Sequence, residues 1–435
     1  MHRSEGLKNI ARTLRNPHYR TFTIGKFSSQ MTLWMYRMAI GWMVWEMTHS
    51  AAWLGIFGFI DYAPAMFVTP LAGAYCDRVD RMKFLRVTQG LLVVHALALS
   101  FVIFYEVVTI ELLALLTLIF GIITAAQMPA SQAIVPNLVP RDCLTSAYGL
   151  NSLIMNVSRF AGPTAAGFMM AAWGAGPVIF ANAIGAGVFS VCLALMTLEI
   201  KEGYKKGSVS LVADIREGLG YVRRHEGLGP MLLILVMLSI LTFPIIQLLP
   251  SFAGGVFNAG PEGLSWLIAT LSAGAFCQAS YLASRGAITG LTAYIIKNIL
   301  VMGLGFVLLT LTDNFWFGLF GVFVIGVATS ADKAGALTLI QYATDGDMRG
   351  RVASFFSVIH HGGPAIGSVL LGVCGDLFGI RPTIAAAGLL TVAVWAWAVY
   401  KTPTMGPALE AGPRDERPDA QSASEPERLK PVAAQ

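Results

Sequence analysis

Apolar runs of about 18 residues or more recur along this chain. Nothing else in it restricts the fold as strongly, because such a run matches the hydrocarbon thickness of a bilayer. The runs lie at about 22–47, 52–75, 87–106, 109–130, 147–172, 176–198, 229–254, 263–284, 288–311, 315–337, 353–376 and 380–400, and they predict twelve transmembrane helices. Over 435 positions only 13% of residues are charged while 55% are hydrophobic. Soluble domains of that total length need a polar shell that so few charges cannot supply. The expected fold class is therefore an all-α integral membrane protein.

The net charge of +5 is not a nucleic-acid signature, because the basic residues flank the apolar runs. With the N-terminus inside, only Arg381 of the 30 Lys and Arg falls on the opposite face, and Lys26, Arg37, Arg159, Lys297 and Lys333 fall within runs. The rest sit on the leader, alternate connections and tail. Basic charge marks the cytoplasmic side, so both termini are expected there, in the plasma membrane, or the inner membrane if the source is a Gram-negative bacterium.

The leader, residues 1–20, has no small-residue cleavage site, and Leu7, Ile10 and Leu14 recur at helical spacing, as in a helix lying on the membrane surface. The longest internal connection divides the runs into a half at 21–198 and a half at 229–401. The linker between them, 199–228, carries an apolar stripe of Leu211, Ile215, Leu219 and Val222. Residues 402–435, rich in Pro, Glu, Ala and Ser, are expected to form a disordered cytoplasmic tail.

An internal repeat supports the division into two six-helix halves. The fifth run contains Arg159-Phe-Ala-Gly162-Pro163, and the eleventh contains His360-His361-Gly-Gly363-Pro364, at an offset of 201 residues. Gly73-Ala-Tyr-Cys76 and Gly274-Ala-Phe-Cys277 share that offset. Duplicated halves are the construction of alternating-access transporters.

After the second run comes Gly73-Ala-Tyr-Cys-Asp77-Arg78-Val-Asp80-Arg81-Met-Lys83. This GxxxDRxxRxK spacing resembles the signature loop of the major facilitator superfamily. Asp80 stands where the general signature has glycine, which is similar to the branch holding enterobactin-exporter-like and macrolide-efflux-like proteins. Pro129-Ala-Ser-Gln132, Leu150-Asn151-Ser152 and Arg349-Gly350-Arg351-Val352 resemble the same branch. The resemblance implies the major facilitator fold, and a contact of Asp77 with the eleventh helix that holds the cytoplasmic side shut. Read from the residues alone, Gly73 permits close helix approach and Asp77 can face a helix N-terminus, while Arg78 and Arg81 serve either that gate or topology. Gly162-Pro163 resembles the antiporter motif of drug exporters; with Gly363-Pro364 it gives either helices able to bend or ordinary close packing.

Charges inside the runs are costly and face a cavity or a partner. Arg37 and Asp61 lie at matching depth in adjacent helices, about 15 Å from the outer surface at 1.5 Å per residue. They form either a proton-coupling site or a permanent ion pair. Arg159, His360 and His361 complete the candidate coupling or substrate path, histidine being able to exchange a proton near neutral pH.

No metal site is expected, because adjacent histidines on a helix diverge by about 100° and the five cysteines form no CxxC pair. GxxxxGK[ST], GxSxG and HExxH are absent, so no enzyme and no cofactor are expected. The favoured reading is a monomeric secondary transporter that exports a small amphipathic organic solute, a siderophore, drug or metabolite, in exchange for protons. The alternatives are an importer of the same fold and, ranked lower, a membrane scaffold or membrane-embedded enzyme.

Overall fold

The computed structural model describes residues 12–76, 78–196 and 211–412. The expected leader residues Leu7 and Ile10, the expected gate residue Asp77 and most of the expected tail lie outside them. The described residues are helical, without strands. α1 (Pro17–Thr48), α2 (Ala51–Cys76), α3 (Arg81–Phe104), α4 (Ile110–Leu138), α5 (Leu144–Trp173) and α6 (Ala175–Leu195) precede a connecting helix, Leu211–Arg224. α7 (Leu228–Val256), α8 (Gly260–Arg285), α9 (Leu291–Thr310), α10 (Phe315–Ala343), α11 (Arg349–Phe378) and α12 (Ile380–Glu410) follow.

Among the described residues, nine of these helices are long and apolar enough to cross a membrane. The other three, α1, α5 and α8, have the length but are more polar. They carry Arg37, Arg159 and Gln278, whose side chains meet Asp61 of α2, Trp34 of α1 and Tyr294 of α9. The twelve crossings expected from the sequence are therefore nine by composition alone.

Helix ends follow local chemistry. Asn16 accepts from the His18 amide at 3.0 Å just before Pro17, and its side-chain amide donates to the Leu138 carbonyl at 2.9 Å, tying the start of α1 to the end of α4. Asp80, the unusual member of the loop motif, is the N-cap of α3 and accepts from Met82 at 2.8 Å and Lys83 at 3.2 Å. Two helices are interrupted by single π-turns, Phe252–Val256 ending α7 and Ala331–Gly335 inside α10. The last helix passes Pro403 and Pro407 and ends at Glu410, so residues 402–410 are helical and not tail. Glu410 accounts for the difference, accepting from the amides of Gly290 at 2.6 Å and Thr292 at 2.9 Å at the start of α9.

The packing has a regular plan. α1 lies on α5 and α6, α2 on α4, and α3 on α4 and α6. α7 lies on α11 and α12, α8 on α10, and α9 on α10 and α12, so the second set repeats the first with every helix moved six places on. The two sets meet chiefly through α2 with α11 and α5 with α8, which are exchanged by the same shift. The α2–α11 contact is backbone to backbone. A Cβ on Gly55 would stand 2.2 Å from the Ser368 carbonyl oxygen, and one on Gly372 would stand 2.5 Å from that of Ala51. Only glycine permits that approach.

Candidate functional site

Arg37 and Trp34 share one face of α1, being three residues apart. Asp61 and Tyr62 come from α2. The Arg37 Nη2 lies 3.3 Å from Oδ1 and 3.2 Å from Oδ2 of Asp61, so the depth match read in the sequence is a direct ion pair. The pair is partly buried, the side chains being 26% and 14% exposed. The Arg37 guanidinium also lies 5.4 Å from the Trp34 ring centroid and 5.5 Å from that of Tyr62. Behind it Tyr36 is buried 4.4 Å from the Phe120 ring, which fixes the rotation of α1.

Arg159 projects from α5 onto the same indole, 4.8 Å from its centroid. Trp34 thus serves two guanidinium groups, an arrangement that stabilises cations where water is scarce. The sequence reading missed Trp34, whose three-residue spacing from Arg37 is its one sequence signal. It also missed Gln247 of α7, whose buried Oε1 has no hydrogen-bond partner. Trp34, Arg37, Asp61, Tyr62 and Gln247 border a central cavity of about 90 Å³, closed by Pro163 and Ile268 among others. The Nε atoms of Arg37 and Arg159 are likewise buried without acceptors. Buried polar groups are normally satisfied, so these donors and this acceptor leave hydrogen-bonding capacity for a guest.

A second cluster, outside the lining of that cavity, is formed by residues of α10 and α11 and by Phe243 between Leu241 and Ile245 of α7. Lys333, in the π-turn of α10, holds its ammonium 4.0 Å from the Phe243 ring centroid. His360 stacks on Phe356, with centroids 5.8 Å apart and planes at 7°, and meets Phe243 edge-on at 6.4 Å. Arg159 is close enough to act electrostatically on both Lys333 and His360, so the repeat-related Arg159 and His360 share one region. His361 sits 5.2 Å from His360 and bonds the Ser357 carbonyl at 2.9 Å. Among the described residues no group of His, Cys, Asp and Glu could hold a metal ion.

The Gly-Pro elements have a packing role in this structure. A Cβ on Gly162 would stand 2.7 Å from the Met31 carbonyl oxygen of α1, and one on Gly363 would stand 1.8 Å from the Ser239 hydroxyl of α7. α5 and α11 continue as helices through Pro163 and Pro364, and the carbonyl of Pro163 accepts from the Ser265 hydroxyl of α8 at 2.9 Å. Gly73 differs from the expectation of close approach, since a Cβ there would make only an ordinary 3.9 Å contact with Pro129. Arg78 is exposed and its amide bonds the Tyr75 carbonyl at 2.9 Å, while Arg81 opens α3.

A family described as "Transmembrane secretion effector" matches residues 10–428. Macrolide efflux protein A of Streptococcus pyogenes is 23% identical over 377 residues, 86% of this chain and 93% of that protein. The staphyloferrin A transporter of Staphylococcus aureus is 26% identical over 388 residues, 85% of this chain and 93% of its own. The enterobactin exporter of Shigella boydii serotype 18 is 24% identical over 414 residues, covering 91% and 94%. In fold, the chain is similar to a variant of the nucleoside transporter NupG, with TM-score 0.70, 12% identity and coverage of 88% and 99%. It is equally similar to a bacterial homolog of the human lysosomal transporter Spinster, inward-facing and unoccupied, with TM-score 0.70, 13% identity and coverage of 90% and 98%.

Proposed function

Because the chain belongs to the transmembrane secretion effector family, and so is a major facilitator superfamily transporter and not an enzyme, we propose that it exports a small amphipathic organic solute from the cytoplasm in exchange for protons. Twelve spanning helices form two halves, 21–198 and 229–401, joined by the linker 199–228, with both termini cytoplasmic. The halves rock about the central cavity, which opens to one side at a time.

The observation that carries this reading is the position of the charged cavity. Trp34, Arg37, Asp61 and Tyr62 reach it from one half, and Gln247 and Ile268 from the other. A site shared in that way must change when the halves move, whereas a site within one half need not. The α2–α11 contact around Gly55 and Gly372 closes it on the outer side, since those residues lie near the ends remote from the termini. Relatives that carry the names of a macrolide efflux protein and an enterobactin exporter support the outward direction.

Asp61 is the proton-coupling group in this scheme. It holds Arg37 at 3.2 Å, and taking up a proton removes the charge that restrains the arginine. The histidine pair His360–His361 stands further along the same path, Asp77 with Arg78 and Arg81 gates the cytoplasmic side, and the Gly-Pro elements let α5 and α11 bend as the halves rock.

Reconstitution into vesicles with and without an imposed pH gradient tests the whole reading. A set of radiolabelled amphipathic solutes should move uphill only when the gradient is present and only in the outward direction. Uphill movement inward identifies an importer, and movement indifferent to the gradient removes proton exchange.

A further inference from the structure

The charges beside the cavity and in the neighbouring cluster do not balance. Asp61 already answers Arg37. Arg159 makes no ion pair among the described residues; its Nε is buried without an acceptor and its guanidinium rests on Trp34. Lys333 is unpaired in the same sense, resting on Phe243. Its neighbour Asp332 makes no ion pair with it: both Asp332 carboxyl oxygens are buried without any hydrogen-bond partner and the side chain is fully covered. Arg159 of one half and Lys333 of the other are thus two partly buried cations without an ion-pair partner among the described residues, each lying on an aromatic ring and near enough to act on each other electrostatically. Like charges so placed in a low-dielectric region repel, and an anion between them relieves both at once.

Resting on the export reading, the geometry points to a transported solute that is an organic anion with an aromatic or planar apolar body. Its acidic group lies between Arg159 and Lys333, and its body lies against Trp34 and Phe243. A guanidinium offers a planar two-donor face to a carboxylate, sulfonate or phosphate, and the ammonium supplies a point charge beside it. The Gln247 Oε1 remains free for a hydroxyl or amide donor on the solute. A cationic solute would meet two repelling charges, with the Asp61 carboxylate already engaged by Arg37 and the Asp332 carboxyl fully covered.

The test uses three naphthalene probes of one shape and different charge: 2-naphthoate, 2-naphthamide and 2-naphthylmethylammonium. Binding to the full-length protein in detergent is read from tryptophan fluorescence. The naphthoate should bind at least about tenfold more tightly than either of the others, as one charged hydrogen bond implies. Arg159→Gln and Lys333→Gln should each lower the ratio of naphthoate to naphthamide affinity by about tenfold, and Arg159→Lys should restore part of that ratio. Equal affinity for the three probes, tighter binding of the ammonium, no binding of naphthoate, or a preference that survives in the double variant each overturns the assignment. The wild-type comparison decides even where a variant fails to fold. Export of a neutral or cationic solute in the vesicle assay, with no preference for the anion here, would sink this inference alone and leave the export reading standing.

Discussion

Asp376 accepts a hydrogen bond of 2.6 Å from the backbone amide of Ala51, the first residue of α2. The adjacent Ser50 hydroxyl donates to the other carboxylate oxygen of Asp376 and accepts from the Trp53 amide at 3.1 Å. A carboxylate near the end of α11 thus completes the N-terminal cap of α2, where backbone donors have no helical partner. The two residues are far apart in sequence and close one end of the contact between the two helix sets.

Asp376→Asn keeps the shape and removes the charge, so it should weaken the outer closure by about 1 kcal/mol, roughly a fivefold change in population. In a background without native cysteines, Ile268→Cys reports the change. An impermeant maleimide added outside should label it about five times faster in the Asp376→Asn protein. Identical labelling rates would mean that Asp376 does not hold the outer side shut.

Gly372→Ala should distort the same contact, because the added Cβ meets the Ala51 carbonyl oxygen at 2.5 Å. Overpacking of this kind costs about 1–3 kcal/mol, so the detergent melting temperature should fall by several degrees and transport should slow. Gly187→Ala in α6 is the control, since a Cβ there meets nothing within 4 Å. It should melt at or above the wild-type temperature.

Asp61→Asn should abolish uphill movement and leave downhill exchange partly intact. The variant also strands Arg37, which breaks a partly buried pair and is expected to lower protein yield. The double variant Asp61→Asn with Arg37→Gln separates the two effects. Yield should return while uphill transport does not. Accumulation against a gradient by either variant would move the coupling role elsewhere on the path.

Glu410→Ala removes the carboxylate that caps the start of α9. Loss of two amide hydrogen bonds to a charged acceptor should cost about 1–3 kcal/mol and lower the melting temperature without altering the pH dependence of transport. An unchanged melting curve would show that the last turns of α12 contribute nothing to stability.

Much of this was legible before any coordinates. Length and apolarity marked the helices, and the matched depth of Arg37 and Asp61 marked their pair. The repeat placed Arg159 and His360 in one region because position along a duplicated helix carries over with the duplication. Rotation was harder to read. A helix that is apolar on every side has no periodic stripe to say which residues face inward, so Trp34, Phe243 and Gln247 passed as ordinary membrane-helix residues. The role of Asp80 as a cap and the end of α12 at Glu410 depend on single hydrogen bonds, which spacing alone does not reveal. The π-turn that presents Lys333 leaves no mark in composition either.

The polarity of α1 bears on how the chain enters the membrane during synthesis. Arg37 at the middle of α1 would cost about 2.5–3.5 kcal/mol if that helix were released into lipid by itself. Its partner Asp61 is only 24 positions behind, on the next helix. The favourable course is for α1 to wait at the insertion machinery until α2 has been made, so that the two leave as a hairpin with their charges already joined. The pair that the proposed cycle would break and remake would then also set the order in which α1 and α2 are delivered to the bilayer.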